Sequence, residues 1–99
     1  HGLKETVYQD ALEIEFRLRN IPFEREKRYE VVYKGEVLKH YFIADFVCFG
    51  DIILELKAVG ELHSMHEKQT LNYMAIAKSP LGLLVNFGEQ SLTYKRFVL

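Results

Sequence analysis

The chain has one cysteine, no tryptophan and two prolines in 99 residues, and neither sign of charge dominates. The lone Cys48 excludes an internal disulfide framework and a cysteine zinc site. It fits a reducing, intracellular setting, read as cytoplasmic. Thirteen Lys and Arg stand against 14 Asp and Glu, a net charge of −1. That is not the balance of a strongly basic nucleic-acid binder, although charge segregated on the surface can still serve one. No apolar run approaches the roughly 18 residues of a membrane helix, and no signal peptide is visible. The chain opens on His1 rather than Met and is read as trimmed at its N-terminus. Walker loops, Rossmann glycine patterns and G-x-S-x-G are all missing.

What is present is an ordinary globular balance, 48% hydrophobic and 27% charged. Thirteen aromatics, seven Phe and six Tyr, argue against disorder. The length suits one small domain, residues 1–99.

Residues 3–20 read as a helix, with Leu3, Val7, Ala11, Ile14 and Leu18 at three- and four-residue steps. Thr6, Gln9, Asp10, Glu13 and Arg17 form its expected wet face, Glu13 pairing with Arg17 one turn on. Asn20 and Pro22 end it. Strands are expected at 23–33, 37–49 and 52–59, joined by turns at Lys34-Gly35-Glu36 and Phe49-Gly50-Asp51, an antiparallel meander. Residues 61–78 read as a second helix, with Leu62, Met65, Tyr73 and Ile76 along its apolar stripe. Leu81–Phe87 is a continuous apolar run, the mark of a strand covered on both faces. A last strand is expected at 91–99. The order is αβββαββ, an α+β fold with a central mixed sheet flanked by two helices.

The segment from Asp45 to Lys57 carries the most chemistry. Side chains alternate along a strand, so Glu55 and Lys57 share a face, as do Ile43, Asp45 and Val47. Ile52, Leu54, Leu56 and Ala58 form the opposite, core face. A three-residue loop at Phe49-Gly50-Asp51 sets Cys48 opposite Ile52 and Asp45 opposite Glu55. Their Cβ atoms are then about 4.5–5.5 Å apart. Two carboxylates that close repel unless neutralised, and a divalent cation is their natural partner. Lys57 stands one pleat away, placed to activate water or stabilise phosphate charge. A two-residue loop would put Asp45 on the wrong face, so register decides the site. Two solvated carboxylates with a lysine would satisfy the same pattern.

Other features are less specific. Gln69 falls inside the second helix's apolar stripe, four residues from Tyr73, as a site residue or a core amide bonded to backbone. Glu5 continues the stripe of Tyr8, Leu12 and Phe16, either reaching a site or favoured in a first turn by the helix dipole. His63 and His66, lacking a third ligand, read as a surface pair. Cys48 reads as a small strand residue. Arg25, Lys27, Arg28, Lys34 and Lys39 are interleaved with glutamates, as on a solvated sheet face.

Together these residues resemble the PD-(D/E)XK nuclease superfamily. Its αβββαβ core has the order read above, with one further strand here. Asp45 matches its second-strand aspartate and Glu55-Leu56-Lys57 its D/E-x-K, with Ala44 in place of the motif's proline. Gln69 and Tyr73 resemble the QxxxY motif of RecB-like members, and Gly2 and Glu5 the first helix of Holliday-junction resolvases. Gly2, Glu5 and Tyr8 spell the pattern of the GxxExxY family. The resemblance continues through Tyr33-Lys34-Gly35, Ala58-Val59, His66, Asn72-Tyr73 and Gly82 to Gly88.

The resemblance implies metal-dependent hydrolysis of DNA phosphodiester bonds. Asp45 and Glu55 would hold Mg²⁺ or Mn²⁺, with the Leu56 carbonyl as a further ligand. Lys57 would position water or stabilise charge, and Gln69 would orient Lys57 or a water. Glu5 would complete the site, with Tyr73 and Tyr8 supporting it. If Glu5, Asp45 and Glu55 face metal, 13 positive charges remain against 11 negative. That is too few for tight duplex binding by phosphate neutralisation alone, so a homodimer or partner protein is expected to supply contacts. The alternative is a non-catalytic nucleic-acid- or protein-binding module retaining the fold, or a structural dimer pairing through the last strand.

Overall fold

The structure, a computed structural model, describes residues 4–99. Seven elements follow in the expected order: α1 (Glu5–Leu18), β1 (Phe23–Tyr33), β2 (Glu36–Cys48), β3 (Ile52–Lys57), α2 (Ser64–Ala77), β4 (Leu81–Asn86) and β5 (Thr93–Val98). Both helices, β3 and the last two strands are shorter than their sequence patterns. The expected Leu3 and Gly2 positions lie outside the described residues. The strands form one mixed sheet in the order β1-β2-β3-β4-β5. Only β3 and β4 are parallel, with α2 as their crossover.

Helix α1 ends in a Schellman-type turn. Asn20 takes the left-handed conformation at φ 54°, and the Ile21 N–H donates to the Phe16 carbonyl at 2.9 Å. At the Phe49-Gly50 turn both central residues have positive φ, 53° and 83°, which β-hairpin twist favours and Gly50 accepts without strain.

The sheet separates two hydrophobic clusters. Phe16 of α1 packs with Phe46, Cys48, Leu54 and Leu56. Met74 of α2 packs with Phe42, Ala44, Val47 and Ile53. Strand β3 is thus buried on both faces, so the Ile53–Glu55 side is covered too.

Each helix buries a different stripe from the one its sequence suggests. On α1 the stripe of Val7, Ala11, Ile14 and Leu18 faces out, Leu18 being 73% exposed. The Tyr8, Leu12 and Phe16 stripe faces in. Two aromatics offer more apolar area than aliphatics of equal number, so their stripe wins. Tyr8 stacks on Phe87 with centroids 4.5 Å apart, and Phe16 meets Phe46 edge-on at 5.2 Å. On α2 the buried residues are Thr70 and Met74, with Tyr73 and Ala77 half-buried, while Met65 is 68% exposed and Ile76 lies at the surface. Gly82 explains the rotation. A Cβ there would lie 2.5 Å from the Met74 sulfur, so the missing side chain is the room Met74 occupies.

Gly88 has a stricter role. A Cβ on it would stand 2.2 Å from the Val59 carbonyl oxygen and 2.4 Å from the Val59 nitrogen. Backbone cannot yield as a flexible side chain can. Gly88→Ala is expected to cost at least about 3 kcal/mol. In a domain of this size that lowers the melting temperature by roughly 12 °C or more. Thermal unfolding followed by circular dichroism checks this.

Candidate metal-dependent active site

The β2–β3 register is the one a three-residue loop requires: Cys48 pairs with Ile52, Val47 with Ile53 and Phe46 with Leu54. The backbone ladder stops there, and side chains continue it. The Asp45 N–H donates to Glu55 Oε2 at 2.8 Å, and the Leu56 N–H donates to Asp45 Oδ2 at 2.8 Å. Each carboxylate is anchored by one oxygen to the opposite strand's backbone. In an extended strand the N–H and C=O of one residue lie on the same edge. The Leu56 carbonyl therefore faces the β2 side, and the Lys57 carbonyl faces β4, where it accepts the Phe87 N–H at 2.8 Å.

Strict alternation does not pass through Asp45. Phe42 and Ala44 share a cluster with Val47, while Ile43 is exposed, contrary to the expected face of Ile43, Asp45 and Val47. The partner strand breaks at the same level: Glu26 has φ 54° and drops out of a register that pairs Arg25 with Phe46 and Lys27 with Ala44. The kink turns Asp45 toward Glu55 at the mouth of the sheet.

Burial makes this pair costly. Glu55 is 5% exposed, and desolvation, then the Asp45 charge, pushes its carboxyl up to about 8. Desolvation also raises Asp45, against the Leu56 hydrogen bond that favours its ionised form. Lys57 attracts both carboxylates and Glu5 repels both. Glu5, exposed in the first turn of α1, thus lies within electrostatic reach of the pair.

Tyr73 belongs to a stack running away from the site. Its ring lies 4.0 Å from Phe42, which lies 5.0 Å from Tyr29. Burial, then Glu55 and Asp45, raises the Tyr73 hydroxyl. Gln69, one turn earlier, is exposed rather than a buried amide, because α2 is rotated by its Met74–Gly82 packing.

Several contributors escape pattern reading. Gln9, expected on the wet face, is 6% exposed. Its Nε2 donates to the Asp45 carbonyl at 3.5 Å, and Arg25 donates to its Oε1 at 3.2 Å. Arg25, expected on a solvated basic face, is held by Asp10 at 2.7 Å and, through Gln9, ties α1 to the Asp45 kink. Buried Asn86, in register with Lys57, imitates a strand for the chain leaving β3. It accepts the Val59 and Gly88 N–H groups at 3.0 Å each and donates to the Val59 carbonyl at 2.9 Å. A lone Asn inside an otherwise apolar strand was the available signal for it. His63 and His66 cap α2: the His63 N–H donates to His66 Nδ1 at 3.1 Å. The Cys48 thiol is buried and pushed up by that burial, as in an inert structural cysteine.

Among the described residues no three His, Cys, Asp or Glu side chains converge as a metal cluster. The donors are two carboxylates and the Leu56 carbonyl. Mg²⁺ needs no more, since it is commonly bound by one or two carboxylates with waters and substrate phosphates. The desolvated, mutually repelling pair is a donor set that a divalent cation fits. Among the described residues, no helix is long and apolar enough to cross a membrane.

No curated protein matches the chain significantly. The crystal structure of SSO0001 resembles it with a TM-score of 0.74 at 19% identity, over 95% of this chain and 50% of that one. The chain thus spans half the length of that solved protein, and the likeness is one of fold. The sequence profile of the PD-(D/E)XK nuclease superfamily matches residues 1–97. With the αβββαββ order and the crossed Asp45–Glu55 pair in place, the chain belongs to the PD-(D/E)XK nuclease superfamily.

Proposed function

We propose that this domain hydrolyses DNA phosphodiester bonds with Mg²⁺ or Mn²⁺. The reciprocal bonding of Asp45 and Glu55 beside Lys57 carries this reading. It fixes two carboxylates back to back and uses one oxygen of each, leaving Asp45 Oδ1 and Glu55 Oε1 for a cation. The Leu56 carbonyl, on the same edge, is the third ligand we assign. Held by these residues, a divalent cation would supply polarisation of the phosphate and a lowered pKa for a water beside it. Lys57 stabilises charge on the phosphate and holds the attacking water. Glu5 closes the open side of the site, and Tyr73 and Tyr8 brace its walls. Gln69, on the exposed edge of α2, orients a site water rather than packing in the core. The first-helix and Gln69–Tyr73 motifs favour the GxxExxY family within the superfamily, although Gly2 lies outside the described residues.

The test is cleavage of labelled linear, circular and branched DNA with Mg²⁺, Mn²⁺ or EDTA. Metal-dependent cleavage that Lys57→Ala loses is the expected result. The near-neutral charge of −1 favours a second reading, a binding module that keeps the fold. Salt-sensitive DNA binding with neither cleavage nor Mn²⁺ binding would support that module. Sedimentation with and without DNA tests whether a second copy supplies contacts.

A further inference from the structure

The kink that aims Asp45 is held from outside the sheet. Asp45 stands in neither strand register: β1 pairs Arg25 with Phe46 and Lys27 with Ala44, and the pairing with β3 ends at Phe46. Its N–H and its Oδ2 are bonded to Glu55 and Leu56 of β3 at 2.8 Å each. Its carbonyl lies 3.5 Å from Gln9 Nε2, on α1. Gln9 is only 6% exposed, and a buried amide needs partners at both ends. Those partners fix which way it points. Arg25 is a donor only, so the Gln9 oxygen faces its Nη2, at 3.2 Å. The Gln9 NH₂ is thereby turned toward the Asp45 carbonyl, which is an acceptor only. The guanidinium is itself clamped: Nη1 meets Asp10 Oδ1 at 2.7 Å and Glu13 Oε1 at 3.6 Å. Arg25 also precedes Glu26, whose φ of 54° breaks β1 at the level of Asp45. One buried amide thus spans both breaks, from the chain beside Glu26 to the peptide of Asp45.

We propose that Gln9 is a positioning residue of this site, holding the Asp45 peptide so that its carboxylate stays aimed at the cation position shared with Glu55. The inference rests on the metal-dependent reading above. Two anchors on β3 leave the Asp45 peptide free to turn about the line that joins them. A third, reaching down from α1, stops that turn. Partners that orient a metal ligand in this way commonly change metal affinity about 10- to 100-fold.

Two variants of matching length remove this bond and keep the Arg25–Asp10 pair. Gln9→Met has neither donor nor acceptor. Gln9→Glu keeps an acceptor for Arg25 and turns a second acceptor toward the Asp45 carbonyl. In metal-free protein, hydrogen exchange at the Asp45 and Leu56 amides is expected to quicken at least about ten-fold in both variants. The amides of Val47 and Ile53, paired in register nearby, are expected to keep wild-type rates. Calorimetric titration with Mn²⁺ is expected to give a Kd raised about ten-fold in both variants. The added charge of Gln9→Glu would by itself attract a cation, so weaker binding there reports position rather than charge. Unchanged exchange at Asp45 and Leu56, a uniform rise over all four amides, or an unchanged Kd overturns the assignment. A wild type that binds no Mn²⁺ overturns the metal-dependent reading instead, and the exchange rates alone then decide for or against Gln9.

Discussion

Lys57→Ala and Asp45→Asn are each expected to leave a folded protein whose metal-dependent cleavage has fallen about 1000-fold. The Lys57 backbone, not its side chain, holds β3 in the sheet, through its carbonyl and the Phe87 N–H. Removing the ammonium therefore leaves the sheet intact. It also removes the cation that stabilises both ionised carboxylates, so Asp45 and Glu55 move further up. In Asp45→Asn the amide oxygen can still accept the Leu56 N–H, which sits 2.8 Å from the carboxylate. What is lost is one negative charge at the proposed cation site. Both variants should melt within about 1 kcal/mol of wild-type stability or above it. Rates on labelled DNA, read beside melting curves, check the pair. Full activity in either variant would sink the site.

Strand pairing was legible because so few registers bury the right residues. With Ile53 and Leu54 both buried, what matters is the length of the Phe49–Asp51 loop, and Gly50 at φ 83° marks it. That one inference places Asp45 against Glu55. The helix faces were not legible. Helix α1 carries two apolar stripes, and only the sheet beneath it selects Tyr8 and Phe16 over Ile14 and Leu18. On α2 the selector is Gly82, an absence of atoms on another element, so the apolar stripe in which Gln69 falls is not the face the helix buries. Gln9 and Arg25 read as solvent-facing because their partners are tertiary. No local spacing reports that Gln9 reaches the Asp45 carbonyl.

The Asp45 kink follows the same logic. Alternation alone predicts a smooth strand, yet Glu26 and Asp45 interrupt it at one level. A break there lets a carboxylate replace a backbone partner on each strand. The two hydrogen bonds so gained hold the acids together where charge alone would separate them.

That forced proximity has a thermodynamic signature. Glu55→Gln is expected to be more stable than wild type at pH 8 without divalent cations, with the advantage gone near pH 5. The glutamine oxygen can still accept the Asp45 N–H, so the fold is kept. In the wild type, Glu55 ionises near 4.5 when unfolded and near 8 when folded. Between those values the folded chain holds a proton that the unfolded chain has released. Stability therefore falls as pH rises through this window, by up to about 1.4 kcal/mol per pH unit. Below it both states are protonated, and above it the penalty stays constant. Asp45, also raised, acts in the same direction. A cation held as proposed would bind the ionised folded pair, so Mg²⁺ at 100 times its Kd is expected to restore about 2.7 kcal/mol. That gain is large at pH 8 and small at pH 5, where a proton must first leave. Glu55→Gln should lose most of the pH slope, keeping only the part due to Asp45, and most of the Mg²⁺ response. Urea unfolding from pH 5 to 9, with and without Mg²⁺, measures all four quantities. A flat wild-type profile would mean that Glu55 is solvated rather than buried against Asp45. A variant that kept the full Mg²⁺ response would move the cation elsewhere. If the expected pattern holds, the instability of the metal-free pair and its affinity for a cation have one cause: two desolvated charges without a counterion.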